Sequence, residues 1–263
     1  MLQDRGQPLL DDYNMAANAL ALPAHVGTIH GQGLIAQHDI PLGTQILEEN
    51  PLVVCYTGFD PCSMGAQQCA PHADPNIFDT LHGAIHGATA GTPRQEVIQR
   101  FVHNAFDFRS ANHRIYVVVY DSVSRINHSC IPNAYLEILS ASGNPAHQQG
   151  QARLIASQPI RNGAEIFVNY ITNDWLNDGA TRRQVLQTNW GFACTCTACQ
   201  PTNPLQVGMD DQRRALARTH QASLIGGPAP ANATELSQRI SDLDHYIRLL
   251  RTLGKLDGDL SRA

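Results

Sequence analysis

Apolar residues recur with two different periods along the chain, and each change of period marks a change of element. From Gly27 to Cys55, short apolar runs are cut by turn residues: Thr28-Ile29, Leu34 to Ala36, Gln45 to Leu47 and Leu52 to Cys55. This rhythm predicts a β-meander. Between Arg94 and Phe106 the apolar positions Val97, Ile98, Phe101, Val102 and Phe106 take largely helical spacing, which predicts a mostly helical insert over about 60–110. Ile115 to Tyr120 is a continuous apolar run, long enough for a buried strand and too short for a typical helix. Strands resume at Ala134 to Leu139, Ala152 to Ala156 and Glu165 to Ile171, separated by a polar Gly/Asn/Pro/Gln loop over 140–151. A short helix is expected from Arg182, and two more after Pro204. The last of these carries Leu236, Ile240, Leu243, Ile247 and Leu250 as one stripe expected to pack on the body.

An internal echo adds topology. Ile40-Pro-Leu-Gly-Thr-Gln-Ile46 and Ile160-Arg-Asn-Gly-Ala-Glu-Ile166 share the form Ile-x-x-Gly-x-x-Ile. Each reads as a corner whose glycine accepts positive φ before a return strand. Their wide separation excludes a tandem array, so they are expected to be two similar corners of one sheet system.

Composition narrows the class. The 263 residues suffice for one substantial core and a small appendage. A formal charge of -5 without a Lys/Arg block speaks against direct nucleic-acid binding and against an acidic membrane surface. Met1 to Ala24 lacks a basic region followed by a continuous apolar stretch, and nowhere do about 18 apolar residues run together. Neither export nor a membrane span is therefore expected, and residence is expected to be cytoplasmic, nuclear or both. Seven cysteines, an odd number, fit reduced thiols or metal ligands better than a disulfide framework.

Three stretches carry chemistry. Ser124 to Asn133 reads Ser-Arg-Ile-Asn-His-Ser-Cys-Ile-Pro-Asn and leaves the apolar run, setting the amide of Asn127, the imidazole of His128 and the hydroxyl of Ser129 side by side. Cys194, Cys196 and Cys199 form Cys-x-Cys-x-x-Cys, three soft ligands within six residues, a spacing that points to zinc. A tetrahedral site needs a fourth ligand, and Cys130 is the economical candidate. If it joins, Trp190 and Phe192 fold back beside Asn127, His128 and Tyr170. Gly31-Gln32-Gly33 could admit a bound molecule close to the backbone, and a tight turn explains the two glycines equally well. Cys55, Cys62 and Cys69, with His72, His82 and His86, contain no Cys-x-x-Cys pair and are read as buried thiols and surface imidazoles.

Taken in order, these stretches resemble the SET-domain lysine methyltransferases, especially the branch whose members often carry a MYND finger. His30-Gly31-Gln32-Gly33-Leu34 resembles the first cofactor loop and Ser124 to Asn133 the Asn-His-Ser-Cys-x-Pro-Asn motif. Gly163 to Tyr170 resembles the final strand with its tyrosine, and Phe192 to Cys199 the zinc-binding post-SET segment. The resemblance implies a β-rich α+β fold of small sheets with a pseudoknot. It divides the chain into an N-terminal arm (1–25), a SET domain (26–171), a post-SET segment (172–204) and a helical tail (205–263). It implies S-adenosylmethionine as cofactor, held by His30, Gly31, Gln32, Gly33, Ser124, Asn127, His128 and Tyr170, with Phe192 stacked on adenine. Tyr170 is implied as the catalytic residue and Trp190 as a wall of the lysine channel. A structural zinc ion is implied on Cys130, Cys194, Cys196 and Cys199.

The implied partner is a protein that presents a lysine, a histone or another. The insert lacks the Cys/His pairs of a MYND finger, so partner binding through such a finger is not expected. A SET scaffold acting on a small molecule and a non-catalytic interaction module remain as alternatives. Target lysine, methylation state and oligomeric state are not fixed by these residues.

Overall fold

The computed structural model describes residues 24–27, 32–56, 101, 103–109, 115–139, 150–172, 174–200 and 204–253. Three small sheets are formed. The first orders β1 (Ala24–Gly27), β2 (Gly33–Ala36), β10 (Glu165–Val168) and β7 (Asn127–His128) as β1-β2-β10-β7. The second orders β3 (Gln45–Glu49), β9 (Gln151–Ala156) and β8 (Ala134–Leu139) as β3-β9-β8, and the third orders β4 (Val53–Tyr56), β6 (Ile115–Val119) and β5 (Ala105–Arg109) as β4-β6-β5. Among the described residues after β10, three α-helices follow: α1 (Gly179–Trp190), α2 (Pro204–Gly226) and α3 (Ala233–Thr252). The α+β, β-rich character expected from the sequence is the character observed. Most of the arm over 1–25, the insert residues 57–100, and the loop residues 140–149 lie outside the described residues, as do Cys62, Cys69, His72, His82 and His86.

The two Ile-x-x-Gly-x-x-Ile corners pair with each other. Ile40 N–H donates to Ile160 O at 2.7 Å and Ile160 N–H to Ile40 O at 2.9 Å. The exchange is reciprocal one step on: Gly43 N–H donates to Ala156 O, and Gly163 N–H to Ala36 O, both at 2.8 Å. Gly43 and Gly163 hold φ of 81° and 78°, the left-handed region that L side chains rarely adopt. This double corner sends one sequence repeat from β2 into β3 and the other from β9 into β10, and so brings the two halves of the chain onto shared sheets.

Side chains from all three sheets meet in one core, including Leu34, Ile46, Val118, Tyr120, Leu154 and Ile166, each at most 3% exposed. The expected helical spacing up to Phe106 ends sooner. Phe101, His103 and Asn104 are helical, but Ala105–Arg109 is a strand paired antiparallel to β6. Phe106 and Phe108 lie two apart, so one pleated face turns both rings toward the core, where Phe108 stacks on Tyr116 at 5.4 Å. The stripe on α3 is only partly covered: Leu250 is buried, whereas Leu236 and Ile240 are 51% and 60% exposed. The expectation that the whole stripe packs on the body is therefore corrected. Among the described residues, no helix is long and apolar enough to cross a membrane.

Candidate active site

β10 is the organising strand. It runs antiparallel to β2, with Glu165 opposite Ile35 and Ile166 opposite Leu34, and parallel to β7, with Phe167 opposite Asn127 and Val168 opposite His128. This register delivers Gln32, Asn127 and Glu165 to one place. Asn127 Nδ2 donates to Gln32 O at 3.0 Å and to Glu165 Oε1 at 2.7 Å. Gly33 is required here by close approach: a Cβ on it would sit 2.4 Å from Glu165 Oε1 and 3.0 Å from Asn127 Nδ2. Arg125 ties down the neighbouring side chain, with Nη1 donating to Gln32 Oε1 and Nη2 to Asp121 Oδ1 at 3.0 Å. His30 and Gly31, the other expected cofactor-loop residues, lie outside the described residues.

The turn after β7 is stitched to β10 by its own polar groups. Asn133 Nδ2 donates to Glu165 O at 2.9 Å, and Asn133 Oδ1 accepts from Phe167 N–H at 2.7 Å, so its carboxamide pairs with the strand as a backbone peptide would. Ser129 N–H donates to Val168 O at 3.0 Å. Ser124 works at the start of the same segment: its hydroxyl donates to Asn104 O at 2.8 Å and accepts from Tyr120 N–H at 3.1 Å.

Four rings converge above this framework. His128 lies 5.3 Å from Tyr170 and 6.1 Å from Phe192, and Tyr170 lies 5.6 Å from Trp190 and 6.5 Å, edge-on, from Phe192. Local structure explains how two distant aromatics arrive. Trp190 ends α1, and Gly191, at φ 73°, caps it by donating to Leu186 O and Gln187 O, turning the chain so that Phe192 returns to the site. Burial pushes the His128 pKa down to about 4, which keeps the ring neutral. Its Nδ1 accordingly accepts from Tyr170 N–H at 3.0 Å. The Tyr170 hydroxyl donates to Ile126 O, and burial raises its pKa above the usual 10, so it stays protonated.

Beneath the rings the four expected cysteines meet. The Sγ atoms of Cys130, Cys194, Cys196 and Cys199 all lie within 4.8 Å of one another, with Cys130 at 3.5 Å from Cys199 and 4.0 Å from Cys194. A tetrahedral zinc–thiolate site, with bonds of about 2.3 Å, sets its sulfurs about 3.8 Å apart. The observed separations bracket that value, so the donor set could hold such an ion. Hydrogen bonding from Cys130 and then Cys194 and Cys199 pulls the Cys196 thiol well below its ordinary value, while Cys130 is raised.

Several residues at the site carried no signal strong enough to single them out in the sequence. Glu165 is buried and holds Asn127, although its only mark was a position in the last-strand stretch. Trp175 Nε1 and Arg214 Nη2 both donate to Cys130 O, at 3.1 and 2.7 Å, and Arg182 Nη2 lies 3.8 Å from Cys199 Sγ. An Asp-x-x-x-Arg pair at 210 and 214 was the available clue, and the same i,i+4 pairing is equally at home on a solvated helix face.

Two cavities adjoin the rings. One of about 890 Å³ is lined by Gln32, Asn127, His128, Phe192 and the loop 193–197. A second, of about 320 Å³, is lined by Phe106, Asp107, Tyr135, Leu136 and Ile138. Both are also lined by His103, Asn104, Ser124, Tyr170 and Trp190, which therefore stand where the two meet.

A site of this make-up, on small sheets joined through a double corner, matches one family model, the SET domain, over residues 31–171. The chain belongs to the SET-domain family. Among its relatives, the histone-lysine N-methyltransferase SET5 of Saccharomyces cerevisiae is 39% identical over 82 residues, which take in 31% of this chain and 14% of that protein. The histone-lysine N-methyltransferase set5 of Schizosaccharomyces pombe is 28% identical over 184 residues, 70% of this chain and 52% of that protein. The human protein-lysine N-methyltransferase SMYD4 is 28% identical over 169 residues, 57% of this chain and 19% of that protein. The chain thus spans about half the length of one of these relatives and under a fifth of the other two.

Proposed function

We propose that the chain is an S-adenosylmethionine-dependent protein-lysine N-methyltransferase with a structural zinc ion on Cys130, Cys194, Cys196 and Cys199. The observation that carries this reading is the sharing of Tyr170 and Trp190 by two cavities. The larger offers polar groups at Gln32 and Asn127 and an aromatic face at Phe192, which suits a ligand with an amino-acid end and a purine. The smaller sets apolar side chains such as Phe106, Leu136, Ile138 and Val168 beside polar ones such as Asp107 and Asn169, which suits the stem of a lysine and its charged approach.

When bound, the cofactor supplies an electrophilic methyl group on a sulfonium. The chain's own residues must then hold a nucleophilic nitrogen in line and exclude water. A free lysine, with pKa of about 10.4, is neutral in only about one molecule in a thousand near pH 7.4. Desolvation between the rings of Tyr170, Trp190 and Phe192 favours loss of its proton. The protonated Tyr170 hydroxyl orients the amine and takes no proton from it. Asn127, fixed by Gln32 and Glu165, and His128, fixed by Tyr170 N–H, hold the cofactor side. The thiol knot fixes the segment that carries Phe192. The names of the relatives support a histone or another protein as substrate, met in the nucleus or the cytosol.

Incubation with methyl-labelled cofactor, a histone mixture and a cell extract tests the activity. Labelled protein with label on lysine supports it, whereas label only in small molecules, or cofactor bound without transfer, rejects it. Metal analysis of freshly purified chain should find about one zinc per chain.

A further inference from the structure

The metal site is built on a charge arrangement that reaches into the tail. Arg182, on α1, and Arg214, on α2, are both wholly buried. Between them Asp210 accepts from Arg214 Nε at 2.6 Å and from Arg182 Nη2 at 3.1 Å. Arg182 Nη1 also reaches Asp211 at 3.4 Å, but that carboxylate is 29% exposed and screened by water. The buried inventory is thus two guanidiniums and one carboxylate.

A net buried positive charge is strongly unfavourable unless an anion lies near. The anion on offer is the thiol knot. Arg182 Nη2 approaches Cys199 Sγ at 3.8 Å and donates to Ala198 O at 3.3 Å. Arg214 donates from Nη2 to the carbonyl of Cys130 at 2.7 Å and from Nη1 to Trp175 O, and its guanidinium stacks 4.7 Å over the Trp175 ring. Arg182 Nε is a buried donor with no acceptor among the described residues, so neutral hydrogen bonding does not complete the accommodation of this cation. A divalent ion with four thiolates carries two net negative charges, and the guanidinium charge left over after Asp210 offsets one of them.

We infer that Arg182 and Arg214, held together by Asp210, are the counter-charge of the metal–thiolate knot, so that α2 is part of the metal site. The inference rests on the four-thiol metal site proposed above. It makes metal binding and docking of α2 one coupled event, because Arg214 on α2 reaches the carbonyl of Cys130 and shares Asp210 with Arg182, which reaches Cys199 Sγ.

The test uses the full chain. Arg182→Met keeps a long side chain and removes the charge, and Arg182→Lys restores it. Zinc affinity is read by competition with a chromophoric chelator. Arg182→Met should bind zinc about 10- to 100-fold more weakly, the usual range for residues that support metal ligands, and Arg182→Lys should recover to within about threefold of the parent. Equal affinity in parent and Met variant, or a Lys variant as weak as the Met variant, overturns the inference.

A second measurement needs no substitution. Hydrogen exchange of the parent with and without chelator should show amides of α2 losing protection when the metal leaves, while those of the β4-β6-β5 sheet keep theirs. Unchanged exchange in α2 overturns the coupling. A parent chain that carries no metal removes the four-thiol reading and the inference with it. A parent with zinc and an unaffected Met variant removes the inference alone.

Discussion

Tyr170 illustrates how much of a side chain's role its surroundings decide. Its ring is wedged among His128, Trp190 and Phe192, its N–H is spent on His128, and its hydroxyl points to the carbonyl of Ile126, one residue before Asn127. Burial keeps the phenol protonated, so it acts as an oriented dipole. Tyr170→Phe should lower turnover by about 100-fold or more, the range seen when one preorganised donor is removed, while cofactor affinity changes by less than about threefold. Steady-state kinetics beside calorimetric cofactor titration separate the two, and equal losses would reduce the residue to packing. The same protonation state shapes the pH dependence. The specificity constant should rise with pH as the substrate amine loses its proton, with no decline from Tyr170 near its ordinary value of about 10.

Among elements, the junction of β2 with β10 is the least tolerant of change. Gly33 faces a carboxylate that cannot swing away, because Glu165 is buried and holds Asn127. Gly33→Ala should cost about 1–3 kcal/mol in urea unfolding, as overpacking does, and should weaken cofactor binding by displacing Asn127. Shortening the acid in Gly33→Ala/Glu165→Asp should return part of the stability; a double variant no better than the single would show that the strain lies elsewhere. Here the sequence was a good guide. Strand residues with alternating or continuous apolar patterns, two glycine corners and a dense Cys-x-Cys-x-x-Cys are local signals, and local signals survive in a linear reading. Phe106 shows where they run out: beside Phe101 and Val102 it fits a helix, beside Phe108 it fits a strand, and only pairing with β6 decides.

At the largest scale, the tail is tied to the site through buried groups whose spacing in the chain says nothing of their burial. Asp210 and Arg214 at i,i+4 look like an exposed helix pair, and the α3 stripe looks equally covered from Leu236 to Leu250. Which part of a helix meets the body depends on where α2 and α3 are placed, and periodicity is blind to that. The structure puts Leu250 against Trp175, Ala217 and Leu253 in one buried cluster, and leaves Ile240 in solvent. Trp175 in turn donates to the carbonyl of Cys130 and carries the Arg214 guanidinium on its face. A cavity opened at Leu250 therefore loosens an indole that holds the turn after His128.

Leu250→Ala should cost about 2–5 kcal/mol, the range for truncating a buried leucine, and should raise the dissociation constant for S-adenosylmethionine as well. Ile240→Ala, on the same helix and in the same stripe, should change stability by no more than about 0.5 kcal/mol and leave cofactor binding alone. Urea unfolding and calorimetric titration of the two variants side by side decide the matter. If Leu250→Ala loses stability but binds cofactor as the parent does, the path from the tail through Trp175 to Cys130 carries packing energy without positioning the site.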